Sequence, residues 1–219
     1  MSARVIIVVL GKQGAGKGTQ CKRLAEHLAI PHVSTGDILR AAVRDQTELG
    51  REVASTLEAG QLVSDDLVNR LVLDRFAEVD ATHGALLDGF PRTEAQAEAL
   101  DQILGQDGVK VCVNLDVSSE LVAERLSSRR VCQECGAIYR DADIEAISGT
   151  CANCGGDVVQ RVDDMPAAIV KRLETYERDT APLLSFYDAR GLLVRVEGDQ
   201  DPQDVTAEIL DILAERGIS

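Results

Sequence analysis

The sequence predicts an α/β protein with a doubly wound parallel sheet that carries two insertions. Short apolar runs alternate with stretches of helical periodicity, as in βαβ units. A glycine-rich turn with a lysine follows the first apolar run, residues 5–10, where ligands bind in such sheets. Two segments interrupt the alternation: residues 34–63 add extra short helices, and residues 131–162 are rich in Cys, Gly, Asp and Asn. We therefore expect one core with a helical insertion and a cysteine-bearing insertion.

Chain length and charge limit the class of protein. The 219 residues suit one large domain with insertions, and no apolar run approaches the roughly 18 residues that span a bilayer. Because the N-terminus lacks a signal-peptide pattern, we expect a cytoplasmic protein with no membrane partner. Lys plus Arg is 23 and Asp plus Glu is 37, so the net charge is −14. That charge argues against a nucleic-acid partner.

The elements follow from apolar periodicity and from capping residues. We expect the first strand at residues 4–10, then a helix that Pro31 ends. Ser34 and Thr47 are expected to begin two short helices, and Ser64 or Asp65 a third. Later strands are expected at residues 85–88, 109–115 and 192–196. A later helix is expected to contain Gln96, Leu100, Ile103 and Leu104. Others are expected at residues 118–130, from Pro166 with a kink or restart at Pro182, and from Asp201-Pro202.

The glycine-rich turn, GKQGAGKGT at residues 11–19, has the spacing of a phosphate-binding loop. Glycines let successive backbone N–H groups approach a polyanion, and the following helix points its positive dipole end at the same place. The template G-x-x-x-x-G-K-[ST] fits up to Lys17, after which Gly18 moves the hydroxyl to Thr19. The alternative is an ordinary glycine-rich strand–helix turn.

Four of the six cysteines form two C-x-x-C pairs. Cys132 and Cys135 are separated from Cys151 and Cys154 by 15 residues, and each pair is followed by glycine. This spacing predicts a tetrahedral thiolate zinc site, and four protein ligands indicate a structural metal. Disulfides are the alternative, which a reducing cytoplasm disfavours.

Arginines stand on both sides of the cysteine segment, at positions 125, 129, 130, 161 and 172. Guanidinium groups bind phosphoryl oxygens in pairs and keep their charge, so we expect several of them to point inward together. Asp163 and Asp164 could orient them, although Asp164 could instead cap a helix. Asp88 ends a strand beside the phosphate-binding loop and is the natural carboxylate for Mg²⁺. Phosphoryl transfer needs mainly such positioning and charge.

These stretches together resemble the adenylate kinases, specifically the bacterial type with a long zinc-containing lid. The likeness covers essentially the whole chain, and the matching stretches are residues 14–20 (GAGKGTQ), 34–40 (STGDILR), 87–93 (LDGFPRT), Gln96, Arg129 with Arg130, RVDD at 161–164, and KRL at 171–173. The resemblance implies a P-loop nucleoside monophosphate kinase fold, in which residues 1–219 form the core, 34–63 an AMP-binding insertion and 128–164 a lid over ATP.

The resemblance also implies the activity and its ligands. The reaction would be reversible transfer of the terminal phosphoryl group of MgATP to AMP, giving two ADP and balancing the adenine nucleotides, by a monomer with a structural zinc ion. The residues implied for ATP are Gly14, Ala15, Gly16, Lys17, Gly18, Thr19, Arg125, Arg129, Ile138, Tyr139 and Gln200. Those implied for AMP are Thr35, Arg40, Gln61, Leu62, Val63, Gly89, Phe90, Pro91, Arg92, Gln96, Arg161 and Arg172. Those implied for catalysis are Lys17, Asp88, Arg92, Arg129, Arg161 and Arg172.

The sequence departs from the family pattern at the loop, where Lys12 and Gln13 stand in the place of Ala-Pro in many relatives. Other functions stay open at this point. A kinase acting on UMP or CMP, or pairing GTP with AMP, would share most of these residues. A GTP-hydrolysing switch would need an N-K-x-D signature, which the sequence lacks. A zinc ribbon for nucleic acid would need a basic face.

Overall fold

The computed structural model describes residues 4–143 and 148–218. In these residues the strands, in chain order, are β1 (Val5–Leu10), β2 (His32–Ser34), β3 (Gly84–Asp88), β4 (Val111–Asp116), β5 (Arg129–Cys132), β6 (Ile138–Arg140), β7 (Val158–Val159) and β8 (Leu193–Glu197). Five of these strands form one parallel sheet in the order β2-β3-β1-β4-β8. The predicted doubly wound α/β fold is confirmed.

The central strand β1 is apolar throughout because it is buried on both faces. Ile6 and Val8 pack into a cluster with Leu87 and Phe90 on one side of the sheet. Ile7 packs into a second cluster on the other side. Alternate residues of a strand point to opposite faces, so a strand covered on both faces becomes a continuous apolar run. The phosphate-binding loop therefore starts from the middle of the sheet.

The helices of the described residues are, in chain order, α1 (Lys17–Leu28), α2 (Thr35–Arg44), α3 (Glu48–Glu58), α4 (Asp65–Phe76), α5 (Glu94–Leu104), α6 (Ser119–Ser127), α7 (Pro166–Thr175), α8 (Pro182–Asp188) and α9 (Pro202–Glu215). A π-helical turn, Tyr176–Thr180, joins α7 to α8, so the restart predicted at Pro182 is confirmed. No helix in residues 4–143 and 148–218 is long and apolar enough to cross a membrane.

Helices α2 and α3 form the small helical insertion beside the sheet. The Ser34 hydroxyl accepts a hydrogen bond from Asp37 N and the Thr47 hydroxyl one from Gly50 N, as the capping residues predict. The two helices are very close at Gly50, where a Cβ atom would lie 1.9 Å from the carbonyl oxygen of Ala42. Only glycine allows this approach of the two backbones.

The cysteine-bearing insertion contains a three-stranded antiparallel sheet in the order β6-β5-β7. Strand β5 pairs Arg130 with Tyr139 and Cys132 with Val158. The backbone pairing of this sheet thus connects the strand that contains Cys132, of the first cysteine pair, to the segment that follows the second pair. Because its strands are short, the insertion has little apolar core of its own.

The elements differ from the predicted ones in three places. Residues 32–34 form the edge strand β2, whose three residues are too few for a periodic pattern. The helix predicted to reach Arg130 ends at Ser127, where the hydroxyls of Ser127 and Ser128 both donate to the carbonyl of Glu124, and Arg130 lies in β5. No side-chain cap begins α4, because the Asp65 carboxylate instead accepts hydrogen bonds from Thr93 and Gln96.

Candidate functional site

Two adjoining cavities lie at the carboxyl ends of β1 and β3, where doubly wound sheets bind ligands. The larger has a volume of about 290 Å³ and is lined by the phosphate-binding loop, by residues of the cysteine-bearing insertion and by the start of α9. The smaller has a volume of about 50 Å³ and lies between α2, α3 and the sheet. The insertions thus form walls around a floor that the core provides.

The loop after β1 has the backbone conformation of an anion cradle. Gly14 and Gly16 have φ values of 91° and 101°, which L-residues with side chains avoid. Nothing lies within 4 Å of a Cβ added at Gly16, so its backbone, rather than crowding, requires glycine. The amide of Ala15 donates to the carbonyl of Lys12 over 3.1 Å and closes the turn. The N-terminus of α1 follows at once and points into the larger cavity.

The Lys17 ammonium is held over this loop. Its Nζ donates to the carbonyl oxygens of Gly11 at 2.7 Å and Lys12 at 2.9 Å. Burial lowers the pKa of Lys17 to about 8; Asp88 opposes this shift, whereas the charges of Arg92 and Arg172 add to it. The cavity therefore destabilises the lysine charge unless an anion is present.

Asp88, at the end of β3, is fixed by a histidine that the sequence analysis missed. His32 Nε2 lies 3.3 Å from Asp88 Oδ2, and β2 places the two residues on adjacent strands. Burial opposes ionisation of Asp88, but the hydrogen bond from His32 and the charge of Lys17 outweigh it and lower the pKa of the carboxyl. The carboxylate lines the larger cavity next to the loop. Its ionised oxygens are ligands of the kind that magnesium prefers.

Two arginines of the site share one buried carboxylate. Asp164 has no exposed surface, and its oxygens accept hydrogen bonds from Arg129 Nε at 2.8 Å and Arg172 Nη1 at 2.9 Å. Arg172 also donates to the main-chain carbonyl of Asp163. Of the two roles left open for Asp164, the structure therefore supports the orientation of guanidinium groups. This pairing joins β5 of the cysteine-bearing insertion to α7 of the core.

The other site arginines are crowded by like charge. Burial lowers the pKa of Arg92 to about 10, and the charges of Arg172 and Arg40 add to the shift. Burial likewise lowers the pKa of Arg161 to about 10, with Arg40 and Arg129 contributing. Carboxylates in the described residues offset only part of this repulsion, so a polyanion is the ligand that the arrangement fits best.

The smaller cavity has hydrogen-bonding groups held in place by their neighbours. The Thr35 hydroxyl donates to the carbonyl of Gly89 over 2.9 Å. Gln96 accepts from the amide of Arg92 at 2.7 Å and donates to Asp65 at 2.6 Å, which explains why Asp65 does not cap α4. These contacts fix polar groups around a space bounded by Leu39, Leu57 and Val68.

The structure brings the predicted site residues together around these cavities. All residues predicted for ATP and all six predicted for catalysis line the larger cavity. Nine predicted for AMP line the smaller one: Thr35, Arg40, Gln61, Leu62, Val63, Gly89, Arg92, Gln96 and Arg172. The other three do not line it. Arg161 faces the larger cavity, and the buried side chains of Phe90 and Pro91 line neither, since Phe90 packs in the core beneath.

The four cysteines of the C-x-x-C pairs fit a zinc ion. Their sulfur atoms all lie within 4.8 Å of one another. The Cys132–Cys154 and Cys135–Cys151 sulfur pairs are both 3.5 Å apart. Tetrahedral zinc with 2.3 Å bonds separates its sulfurs by about 3.8 Å, so only small shifts are needed. These thiols could bind a structural zinc ion, which completes the insertion where its apolar core is small.

Tyr139 connects the cysteine cluster to the larger cavity. Its hydroxyl lies 3.2 Å from Cys151 Sγ and accepts a hydrogen bond from the amide of Ala152. The same residue lines the larger cavity with Ile138. The prediction placed Tyr139 near ATP but gave no sign of its contact with sulfur, because a single tyrosine in a strand of three residues has no pattern.

Comparison with known proteins identifies the family that shares this arrangement. The family model for adenylate kinase matches residues 9–192. An adenylate kinase of Caldicellulosiruptor bescii is 46% identical over 213 residues, covering 94% of this chain and 98% of the relative. Those of Lachnospira eligens and Thermoanaerobacter pseudethanolicus are 45% and 42% identical, and the matches cover 94% and 96% of this chain and 99% of each relative.

Proposed function

This chain belongs to the adenylate kinase family, and from that premise we propose how its residues perform the reaction. The reaction is reversible transfer of the terminal phosphoryl group of MgATP to AMP, giving two ADP. We assign MgATP to the larger cavity and AMP to the smaller. The observation that carries this assignment is the wall common to both cavities, which contains Arg40, Arg92 and Arg172. A group moving from one nucleotide to the other has to cross that wall.

The protein's contribution to the transfer is position and charge. Lys17 and the loop amides hold the phosphates of ATP, while Arg92, Arg129, Arg161 and Arg172 surround the transferred group. Such groups stabilise the negative charge of the transition state without themselves forming covalent bonds. Magnesium bound with ATP neutralises phosphate charge, and Asp88 would hold it on the side of β3.

The two insertions are proposed to cover the nucleotides. Residues 34–63 would close over AMP, with Thr35 and Gln96 near the base and Arg40 near its phosphate. Residues 128–164 would close over ATP, bringing Arg129 and Arg161 to the transferred group. Closure would exclude water, which would otherwise accept the phosphoryl group. We further propose that the protein works as a monomer in the cytoplasm, where adenine nucleotides are balanced.

A panel of acceptors and donors tests this proposal. Turnover of the zinc-loaded protein is measured with AMP, UMP, CMP and GMP against ATP and GTP. We expect AMP with ATP to exceed every other pair by at least about a hundredfold in kcat/KM, because a site built for specific hydrogen bonds rejects analogues that lack them. Negligible turnover with AMP would overturn the function, and faster turnover with UMP or CMP would move the protein to the pyrimidine kinases.

A further inference from the structure

The boundary between the two cavities contains one side chain to which the family resemblance assigns no role. Six residues line both cavities: Gln13, Gly36, Arg40, Gly89, Arg92 and Arg172. Two of them are glycines and three are arginines, so Gln13 brings the uncharged polar side chain of this shared wall. It therefore lies where the transferred phosphoryl group would have to pass.

The Gln13 amide has spare hydrogen-bonding capacity there. Its Oε1 atom is buried, and no group in residues 4–143 or 148–218 hydrogen-bonds it. A buried polar atom without a partner is destabilising, so folded proteins seldom contain one unless water or a ligand completes it. A carboxamide carries an acceptor and two donors, and rotation about its last bond exchanges them. The same site can thus present N–H groups to an anion.

The backbone below the side chain is held firmly. Gln13 and Gly14 are the two central residues of the turn that the bond from Ala15 N to Lys12 O closes. Lys12 is fixed once more by its carbonyl, which also accepts from Lys17. Its ammonium forms only a pair with the solvent-exposed Glu177, at 3.4 Å, which contributes little to holding the turn. A fixed turn directs the Gln13 side chain to one place and limits the entropy lost when it binds a ligand.

We propose that the Gln13 side-chain amide donates a hydrogen bond to a phosphoryl oxygen between the two nucleotides, an inference that rests on the function proposed above. During transfer the bond from phosphorus to the oxygen of the departing ADP breaks, and a bond from phosphorus to a phosphate oxygen of AMP forms. Gln13 exchanges no proton or electron pair in this step. It adds an uncharged hydrogen-bond donor beside the arginines. A further positive charge at this place would be repelled by the arginine side chains, whereas a neutral amide is not.

Substitutions at position 13 separate the amide from the turn. Gln13→Ala removes the amide. Gln13→Pro also removes it but suits the turn, because proline favours the first central position of such turns. Gln13→Glu keeps the shape and places a carboxylate against phosphate. Glu177→Gln is the matched control, since it removes the ion pair to Lys12 outside the cavities.

We expect kcat to fall about tenfold in both Gln13→Ala and Gln13→Pro, as befits one hydrogen bond to a charged group. In Gln13→Glu we expect a fall of roughly a hundredfold, because like charges repel. Affinities for AMP alone and ATP alone should stay within about twofold, whereas diadenosine pentaphosphate, which fills both cavities with one phosphate chain, should bind about tenfold more weakly. Glu177→Gln should keep wild-type kcat within about twofold.

Two results would overturn the assignment of Gln13. If Gln13→Pro has wild-type kcat while Gln13→Ala is slow, the residue acts only through the stiffness of the turn. If both keep wild-type kcat and wild-type affinity for diadenosine pentaphosphate, the amide does not contact the phosphate chain. The wild-type rate with AMP, measured in parallel, distinguishes these failures from failure of the proposed function, in which the parent protein itself would be inactive.

Discussion

Asp164 is the residue on which the charge balance of the site depends most. It is fully buried and is the carboxylate that Arg129 and Arg172 share. Removing one partner of a buried ion pair leaves uncompensated charge and costs more than the pair contributes in the intact protein. Arg129 and Arg172 would then repel each other across the seam between lid and core.

Asp164→Asn is expected to lower the free energy of unfolding by about 3 kcal/mol, because Arg129 and Arg172 lose the carboxylate that they share and Arg172 keeps only Asp163. Asp141→Asn provides the control in the same lid, since Asp141 forms an exposed pair with Arg130 and should change stability by less than about 1 kcal/mol. Denaturant unfolding of both variants measures the difference. Equal stability of the two variants would contradict the role given to Asp164.

Lys17 leads to a prediction about pH. Burial lowers its folded-state pKa from 10.5 to about 8, so between those values the unfolded chain binds more protons than the folded one. The contribution of Lys17 to the free energy of unfolding therefore rises as pH increases from about 8 to 10.5. Over the lower part of that range the folded protein loses the positive charge of Lys17 that would bind ATP. The free protein is thus expected to gain stability and lose affinity for ATP on the alkaline side.

The measurement is kcat/KM for ATP against pH, which reports the free protein. We expect kcat/KM to fall about tenfold per pH unit above pH 8, as for the loss of one proton. The value of kcat should stay constant to higher pH, because bound phosphates raise the pKa of Lys17. Lys12→Arg removes the other lysine of the loop and should leave the profile in place. A flat profile from pH 7 to 9.5 would show that Lys17 keeps its proton throughout.

At the scale of residues, the loop and the cysteine pairs could be predicted because each is a local motif with fixed spacing. Most lining residues were predicted only from the resemblance to the adenylate kinases. The partners of those residues could not. His32 reaches Asp88 across two strands that are far apart in the chain, and Asp65 meets Gln96 between two helices. Such contacts depend on packing, which leaves no periodic signal in a single sequence.

Among the elements, the lid depends most on its metal ligands. Its sheet joins β5, β6 and β7, and the longest of these has four residues. Short strands with little apolar area do not hold a sheet together in water. The spacing of the cysteines predicted the metal site, but the three-strand arrangement was not predicted because no strand is long enough to show alternation.

Cys135→Ser is expected to lower Tm by roughly 10 °C, equivalent to about 3 kcal/mol, because one zinc ligand is lost. Turnover at low temperature should change far less, since the four cysteines line neither cavity. Glu134→Gln, at the exposed residue just before Cys135, should leave Tm unchanged. Metal content and Tm are measured together. Loss of turnover in Cys135→Ser with the lid still folded would contradict a structural role for the metal.

At the scale of the whole molecule, the lid and the helical insertion touch each other directly. Arg44, at the end of α2, donates to the carbonyl oxygen of Gln133 in the lid at 3.2 Å, and Arg161 lies 3.9 Å from Asp37. Both contacts join the two insertions. In the closure proposed above, each insertion would therefore stabilise the position of the other.

Arg44→Ala is expected to weaken binding of diadenosine pentaphosphate about threefold, because one exposed hydrogen bond across the closed insertions is lost. AMP alone should bind as before. Arg51→Ala is the matched control, since Arg51 donates to Gln46 within the helical insertion and does not reach the lid. Titration calorimetry measures all three affinities. Equal effects of the two variants would show that the contact across the insertions contributes nothing.

The central position of β1 has a further consequence for local opening. Its backbone is hydrogen-bonded to β3 on one side and to β4 on the other. The two insertions lie outside this central part of the sheet. Segments bonded on both sides open only with the whole molecule, and peripheral segments open alone. Amide hydrogens of β1 should therefore exchange at the rate of global unfolding, and those of α2, α3 and the lid much sooner. The chain can release both nucleotides without disturbing the strand that holds the phosphate-binding loop in place.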